Sequence, residues 1–212
     1  MIKGSKICGN SDSKTLNYII NHQYPPQFIG FICNYPKSKR YVEFNELKKL
    51  ISIEKKNSKF VAVLVKPNDE LLKNLKDLNF DYYQIYDQTP DQIKNIKNQY
   101  NKKIILTLTV KTAKDINQYK LYEKILSNDD FFLFDSKGYD ETKSFDHSLL
   151  KKVKKDIKNK IMIAGGIKID DNFNEIASFC DYVDLSGNLE SKKGVKDFKK
   201  IDIFLKNINN LK

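Results

Sequence analysis

Short runs of hydrophobic residues alternate with longer amphipathic stretches from one end of the chain to the other. Eight of these runs are rich in Val, Ile, Phe and Tyr, a pattern that is typical of buried parallel strands. The predicted strands are Lys6–Cys8, Phe28–Cys33, Phe60–Val65, Tyr82–Ile85, Ile104–Val110, Phe131–Asp135, Ile161–Ala164 and Tyr182–Leu185.

The stretches between these runs carry their hydrophobic residues at helical spacing. Phe44, Leu47, Leu50 and Ile51 share one face of a helix, for example, and Pro90 suits the first turn of another. The predicted helices are Thr15–His22, Phe44–Ile53, Asp69–Leu78, Pro90–Tyr100, Lys114–Leu126, Phe145–Ile157, Asp171–Phe179 and Asp197–Ile208.

Regular alternation of strand and helix predicts a parallel sheet. Eight such units fill the 212 residues, and eight strands are the number that closes a parallel sheet into a (β/α)8 barrel, the TIM barrel. We therefore predict an α/β fold with a single barrel domain over residues 1–212. A doubly wound open sheet is the alternative. It usually has fewer strands and a glycine-rich first turn, whereas the first turn here reads Cys8-Gly9-Asn10-Ser11.

The composition, 40% hydrophobic and 31% charged, is that of a folded protein. No apolar stretch approaches the roughly 18 residues of a membrane helix, and no secretory segment follows Met1, so we expect a cytoplasmic protein without a membrane partner. The net charge of +11 raises the question of nucleic acid. Because the Lys residues are dispersed among acidic ones, a solvated surface that attracts a small anionic substrate is the better interpretation.

Cysteine and histidine are scarce in this chain. The three cysteines, Cys8, Cys33 and Cys180, have no paired spacing, which predicts free thiols in a reducing compartment. The two histidines, His22 and His147, fall in predicted helices, and no cluster of Cys and His residues is present. We therefore expect no metal site.

Arg40 is the only arginine among 38 basic residues. The surplus of Lys, Asn and Ile indicates drift toward A/T-rich codons, which replaces Arg by Lys wherever a simple positive charge is sufficient. An arginine retained under such drift is expected to need its planar fork, which binds a carboxylate or phosphate through two parallel hydrogen bonds. The alternative is a chance survivor on the surface.

The working residues of such a barrel lie where its strands end and in the loops that follow. Gly165 and Gly166 end the seventh strand, and Asp184, Ser186 and Gly187 end the eighth. Glycines leave backbone N–H groups bare, and barrels commonly bind phosphate at this place, so a phosphate site is favoured over a simple tight turn.

Four other side chains fall at strand ends. Gln84 and Tyr86 close the fourth strand, and Cys8 and Asp135 end the first and the sixth. A thiolate can act as a general base and a protonated carboxyl as a general acid. Taken alone, however, Cys8 is better explained as a buried structural thiol.

Several short motifs follow one another from Lys6 to the last predicted helix. They are K-I-C-G at Lys6–Gly9, Y-P-K-S-K-R-Y-V at Tyr35–Val42, F-D-S at Phe134–Ser136, F-D at Phe145–Asp146, A-G-G-I at Ala164–Ile167, D-L-S-G-N-L-E at Asp184–Glu190 and G-V-K-D at Gly194–Asp197. As an ordered set they resemble the phosphoribosylanthranilate isomerases of tryptophan biosynthesis.

The resemblance implies an internal redox rearrangement of a phosphorylated amino sugar. Asp135 is then the acid that protonates the ring oxygen, and Cys8 the base that removes a proton from the adjacent carbon. Arg40 is expected to bind the anthranilate carboxylate. The phosphate is expected at Gly165, Gly166 and Ser186, and the resemblance implies no metal or organic cofactor. We expect a monomer or a homodimer.

Three segments depart from the family pattern. The fourth-strand motif Q-L-H-G reads Gln84-Ile85-Tyr86-Asp87, where Tyr86 is an aromatic of a size to pack against the anthranilate ring. Residues 139–146 replace the glycine-rich loop after the sixth strand, and of its glycines only Gly138 remains, at a displaced position. In the eighth-strand motif, Gly187 replaces the second serine. A degenerate barrel that binds a phosphosugar or a protein without catalysis is therefore an alternative, as is another phosphosugar enzyme such as an epimerase.

Overall fold

Eight parallel strands pair in chain order and close on themselves, because β8 pairs with β1 as well as with β7. The computed structural model describes residues 1–136 and 145–211. The strands are Gly4–Ile7 (β1), Phe28–Ile32 (β2), Lys59–Val65 (β3), Tyr82–Tyr86 (β4), Lys103–Val110 (β5), Phe131–Ser136 (β6), Lys160–Ile163 (β7) and Tyr182–Leu185 (β8). The predicted (β/α)8 barrel is confirmed.

Helical segments connect the strands on the outside of the barrel. The α-helices are Ser13–Ile20 (α1), Phe44–Ile51 (α2), Asp69–Leu75 (α3), Pro90–Tyr100 (α4), Phe173–Ile176 (α5) and Phe198–Asn209 (α6). Side chains cap several of their N-termini. Thr89, for example, forms a capping box with Gln92 just before Pro90.

Two of the predicted α-helices are 3-10 helices in the structure, and a third is less than half its predicted length. Ala113–Leu121 replaces the predicted helix Lys114–Leu126, and His147–Lys152 replaces Phe145–Ile157. In the first of them the buried residues Ile116, Tyr119 and Tyr122 are spaced by three, which suits three residues per turn. The helix predicted over residues 171–179 is reduced to the four residues of α5. Gly138 and residues 139–144 lie outside the described residues.

Four aromatic rings close the barrel at the N-terminal ends of its even-numbered strands. Phe28, Tyr82, Phe131 and Tyr182 contact one another edge to face, with ring centroids 5.3–5.7 Å apart. Alternate strands contribute each layer of a barrel interior, so this layer takes one ring from each of β2, β4, β6 and β8. The interior is therefore packed at this end and open only at the other.

Side chains along each strand alternate between the barrel interior and the helix layer. Above the aromatic layer, the inward positions carry Val61, Ile105, Leu133 and Met162, which form an apolar cluster. The same alternation then brings polar residues into the mouth of the barrel. These polar residues are Cys8, Tyr86, Asp135 and Asp184. Each lies two residues beyond another inward-facing residue, which is Lys6, Gln84, Leu133 and Tyr182, respectively.

A short hairpin follows the eighth strand and was not predicted. A 3-10 turn, Gly187–Leu189, leads into the antiparallel strands Glu190–Lys192 (β9) and Val195–Lys196 (β10). Gly194 in its turn has φ +88°, and a Cβ there would come within 2.8 Å of the Lys39 carbonyl oxygen. The hairpin thus packs against the loop that carries Arg40. Within residues 1–136 and 145–211, no helix is both long and apolar enough to span a membrane.

Candidate active site

A cavity of about 500 Å³ opens at the C-terminal ends of the strands. Its wall includes nine of the ten residues that the sequence singled out. They are Cys8, Arg40, Tyr86, Asp135, Gly165, Gly166, Asp184, Ser186 and Gly187. Residues that are far apart in sequence therefore share one pocket with space for a phosphorylated sugar.

Gln84 is the tenth of these residues, and it contacts Tyr86 instead of the cavity. Its side chain is fully buried, and its Nε2 donates to the Tyr86 hydroxyl oxygen at 3.2 Å. Gln84 and Tyr86 lie two residues apart on β4, so both point into the barrel. Gln84 therefore supports the residue above it.

Cys8 lies beside a buried ion pair. The Lys6 ammonium, also fully buried, donates to Asp184 Oδ2 at 2.7 Å. Gly30 makes the space for this arrangement, since a Cβ there would lie 3.0 Å from both Cys8 Sγ and Lys6 Nζ. Burial raises the pKa of the Cys8 thiol, while the Lys6 ammonium acts in the opposite direction. Lys6 is thus the group that stabilises a thiolate at this position.

Asp135 is held across the mouth of the barrel by Tyr86. The Tyr86 hydroxyl donates to Asp135 Oδ2 at 3.0 Å. Burial raises the pKa of Asp135 from an ordinary 3.8 to about 7, and the hydrogen bond from Tyr86 limits this rise. A carboxyl with such a pKa is largely protonated just below neutral pH, which is the state that a general acid needs.

The turns after β7 and β8 present backbone N–H groups to the cavity. Gly165 and Gly166 adopt φ of +75° and +79°. The amides of Gly166, Gly187 and Asn188 have no acceptor in the described part of the protein. Asn188 Nδ2 donates to the Ile167 carbonyl oxygen at 2.8 Å and fixes one turn against the other. Together the two turns form a ready cradle for an anion.

Arg40 uses its planar fork on a residue of its own chain. Its Nε and Nη2 donate to the two carboxylate oxygens of Glu190 at 2.5 and 2.9 Å. Gly9, at φ +73°, leaves space for the Arg40 side chain, because a Cβ there would lie 2.5 Å from Arg40 Cδ. The bidentate pair with Glu190 therefore explains why this position needs an arginine. The sequence did not identify Glu190 as the partner of Arg40.

Glu190 is the centre of a small charged network beneath the mouth. Besides Arg40, it accepts from the Gly194 amide at 3.0 Å and from Lys196 Nζ at 3.2 Å. Burial alone would raise the pKa of Glu190, but the hydrogen bonds from Arg40 and Gly194 hold it below its ordinary value. Lys196 also donates to the Ser186 carbonyl oxygen at 3.1 Å, which links this network to the turn after β8.

Sequence reasoning missed Lys6, Glu190 and Lys196 as members of the site. Lys6 carries a usable signal, because a lysine two residues before Cys8 on the same short strand must share its inward face. Glu190 and Lys196 lie in the motifs at Asp184–Glu190 and Gly194–Asp197, but their place in the site was missed because the hairpin that buries them was not predicted.

The remaining cysteines and histidines lie apart from this chemistry. Cys33 and Cys180 are buried, and each thiol donates to a backbone carbonyl of its own segment. His22 lies just past the end of α1 and pairs with Asp202. His147 is the first residue of a 3-10 helix, in a segment that was predicted to be helical. Its Nε2 lies 3.1 Å from the Ala164 carbonyl oxygen. The described residues contain no cluster of three or more His, Cys, Asp or Glu side chains suited to a metal.

The sequence matches a family of known enzymes over nearly its whole length. A family model described as N-(5'phosphoribosyl)anthranilate (PRA) isomerase matches residues 5–207. The chain is 33% identical to the N-(5'-phosphoribosyl)anthranilate isomerase of Sulfurihydrogenibium sp. (strain YO3AOP1), covering 97% of this chain and 98% of that protein. It is 32% identical to the one of Thermoanaerobacter pseudethanolicus, covering 98% of each.

Solved structures share the fold. A crystal structure of phosphoribosyl anthranilate isomerase from Thermotoga maritima matches with a TM-score of 0.85 at 22% identity, covering 99% of this chain and all of the other. A phosphoribosyl anthranilate isomerase in complex with reduced 1-(o-carboxyphenylamino)-1-deoxyribulose 5-phosphate matches with a TM-score of 0.83 at 21% identity, with the same coverage.

Proposed function

Since the chain belongs to the N-(5'-phosphoribosyl)anthranilate isomerase family, we propose how its own residues carry out that reaction. The protein is an isomerase of tryptophan biosynthesis, an intramolecular oxidoreductase that converts an aldose to a ketose. Its substrate is N-(5'-phosphoribosyl)anthranilate and its product 1-(2-carboxyphenylamino)-1-deoxyribulose 5-phosphate. The observation that carries the assignment of roles is that Cys8, Asp135 and the two glycine turns line one cavity.

The phosphate of the substrate anchors at the turns after β7 and β8. The amides of Gly166, Gly187 and Asn188, which have no acceptor among residues 1–136 and 145–211, supply hydrogen bonds, and the positive φ angles of the paired glycines bring the backbone close to the ligand. Fixing one end of the sugar in this way places its ring over the mouth of the barrel. The entropy of orienting the ring is then lost during binding, so it does not add to the free-energy barrier of the chemical step.

The anthranilate carboxylate is directed to Arg40. Glu190 occupies Nε–H and one N–H of Nη2, which leaves three of the five guanidinium N–H groups for another acceptor. Arg40 lies on the cavity wall, so these groups are available to the substrate. Glu190 fixes the plane of the fork before the substrate arrives.

Asp135 begins the chemistry as the general acid. It gives its proton to the ring oxygen, and the nitrogen lone pair forms the Schiff base as the bond between the anomeric carbon and that oxygen breaks. The raised pKa of Asp135, about 7, keeps a useful fraction of the acid form near neutral pH.

Cys8 completes the rearrangement as the general base. Its thiolate takes the proton from the carbon next to the Schiff base, and the electron pair left behind forms an enolamine that tautomerises to the aminoketone. Lys6, next to Cys8, favours the thiolate and so opposes the effect of burial, which raises the Cys8 pKa. One proton enters from Asp135 and one leaves to Cys8, so the product is an isomer of the substrate. The two groups exchange protons with solvent before the next turnover.

Complementation tests this function with few assumptions. A tryptophan auxotroph that lacks the isomerase should grow without tryptophan when it expresses the wild-type chain, and should not grow when it expresses Asp135→Asn at the same level. Failure of the wild-type chain, with the purified protein also inactive on N-(5'-phosphoribosyl)anthranilate, would favour a barrel that binds its ligand without catalysis. The prediction of a monomer or homodimer is checked by the mass of the protein in solution.

A further inference from the structure

Tyr86 makes a directed hydrogen bond at the centre of the mouth. Its ring packs with Cys8 and Val63, and its side chain is largely buried at the end of β4. Gln84 Nε2 donates to the phenol oxygen at 3.2 Å, and the phenol donates to Asp135 Oδ2 at 3.0 Å. A hydroxyl has a single proton, so the bond from Gln84 leaves that proton for Asp135.

This bond makes the two oxygens of Asp135 different. Oδ2 accepts from Tyr86, so the acidic proton of the neutral carboxyl belongs on Oδ1. Oδ1 lies next to Gly165, where a Cβ would approach it to 2.7 Å, and Gly165 forms part of the cavity wall. The proton is thereby placed on the oxygen beside Gly165, and both Asp135 and Gly165 line the cavity.

We propose that Tyr86 is a positioning residue for the reaction, which directs the proton of Asp135 toward the substrate and sets the acidity of that carboxyl. This inference rests on the proposed function, in which Asp135 is the acid. It assigns the role to the hydroxyl of Tyr86, whereas packing against the anthranilate ring would need the ring alone.

The acidity of Asp135 depends on a small set of neighbours. Burial raises its pKa, as does the carboxylate of Asp184 on β8, while Tyr86 on β4, Lys6 on β1 and the Ser136 amide lower it. Cys8 faces Tyr86 from the end of β1. The Tyr86 hydroxyl keeps its own proton, because burial and the nearby Asp135 raise its pKa well above 10. Among the three described neighbours that lower the pKa of Asp135, Tyr86 contributes a neutral side chain, Lys6 a charged one and Ser136 its backbone amide.

The substitution Tyr86→Phe removes the hydroxyl and keeps the ring. Asp135 is titrated directly by infrared difference spectroscopy, with the spectrum of Asp135→Asn subtracted, so the readout does not require turnover. Losing a hydrogen bond to the ionised carboxylate should move the midpoint upward by about one to two pH units. In parallel, kcat should fall and KM should change little, because the phosphate and carboxylate contacts remain.

Tyr83→Phe is the matched control. Tyr83 lies on the same strand, faces the helix layer, and has a buried hydroxyl with no hydrogen-bond partner among the described residues. It should leave both the midpoint and kcat unchanged. Gln84→Met is a second test, because it removes the bond that orients the phenol. It should move the midpoint in the same direction by a smaller amount.

The possible outcomes separate this inference from the proposed function. An active wild-type enzyme whose Asp135 midpoint is the same in Tyr86→Phe would overturn the positioning role alone. A midpoint that moves equally in Tyr83→Phe would overturn it too, since the effect would then follow from any loss of a buried hydroxyl. A wild-type protein without isomerase activity would overturn the proposed function, whatever the midpoints.

Discussion

Replacing the proposed acid, Asp135, by asparagine should stabilise the fold above neutral pH. Burial raises the pKa of this carboxyl from 3.8 to about 7, so the folded protein holds a proton that the unfolded chain releases. A group of this kind favours folding fully below its unfolded pKa and loses that contribution as the pH rises through its folded pKa. Asparagine has the same shape, never ionises, and can still accept from Tyr86.

The size of the effect follows from the two pKa values. A difference of about three units corresponds to about 4 kcal/mol once the pH exceeds 7, at about 1.4 kcal/mol per unit. At pH 5, about one pH unit above the unfolded pKa, the corresponding free energy is only roughly 1.5 kcal/mol. Between pH 5 and pH 8 the stabilising effect of Asp135→Asn should therefore grow by about 2–3 kcal/mol. Any change in packing or amide hydrogen bonding is the same at both values and cancels in this difference.

Urea unfolding of the wild type and the variant at pH 5 and pH 8 measures this growth. Asp181→Asn serves as a control of opposite sign. Burial acts to raise the pKa of Asp181, but hydrogen bonds from the Ile161 amide and from Lys154 and Lys3 outweigh it and lower that pKa. Asp181 is thus ionised in both states at pH 5 and above, so Asp181→Asn should destabilise equally at both values. An effect of Asp135→Asn that stays constant, or turns more destabilising as the pH rises, would refute the reasoning.

Three further predictions concern the anion contact, the pH profile and the barrel floor. Arg40→Lys should weaken the binding of a product analogue by ~1–3 kcal/mol in a calorimetric titration, because lysine cannot satisfy Glu190 and a substrate carboxylate together; unchanged affinity would make the contact with substrate unnecessary. Because the pKa of Asp135 is about 7 and that of Cys8 is raised above its ordinary value, the pair in its working state, acid protonated and thiol ionised, is a minor species. The value of kcat/KM should then rise with pH up to about 7, stay level, and fall only once Cys8 ionises; a decline starting at pH 7 would mean that the thiol is already ionised there. Phe131→Ala should lower the free energy of unfolding by about 3–5 kcal/mol, since it removes a ring from the aromatic layer, and a loss below about 1 kcal/mol in urea unfolding would contradict the packing described for that layer.

The sequence was sufficient for the strands because their signal is local. Each hydrophobic run coincides with a strand to within two residues at either end, and the alternation within a strand places Cys8 and Asp135 on the inward face. The weaker helices were predicted less well. Residues 113–121 carry so few apolar positions that tertiary packing at a spacing of three selects a 3-10 helix.

The contacts that define the site are not local, and this explains what the sequence missed. Tyr86 and Asp135 come from strands separated by β5, so their hydrogen bond exists only because the barrel closes. Arg40 and Glu190 are 150 residues apart and meet through a hairpin that has no clear hydrophobic pattern. The unusual arginine was therefore visible in the sequence, while the identity of its partner required the folded chain.

The rates of two cysteine variants on N-(5'-phosphoribosyl)anthranilate test the central claim most directly. Cys8 and Cys33 are both buried, unpaired thiols, but only Cys8 lies on the cavity wall with Asp135. Cys8→Ala should lose about 10²–10⁴-fold in kcat, the range for removing a general base, while it still binds a product analogue. Cys33→Ala should keep a rate close to that of the wild type. A Cys8→Ala enzyme that turns over as fast as Cys33→Ala would contradict the account.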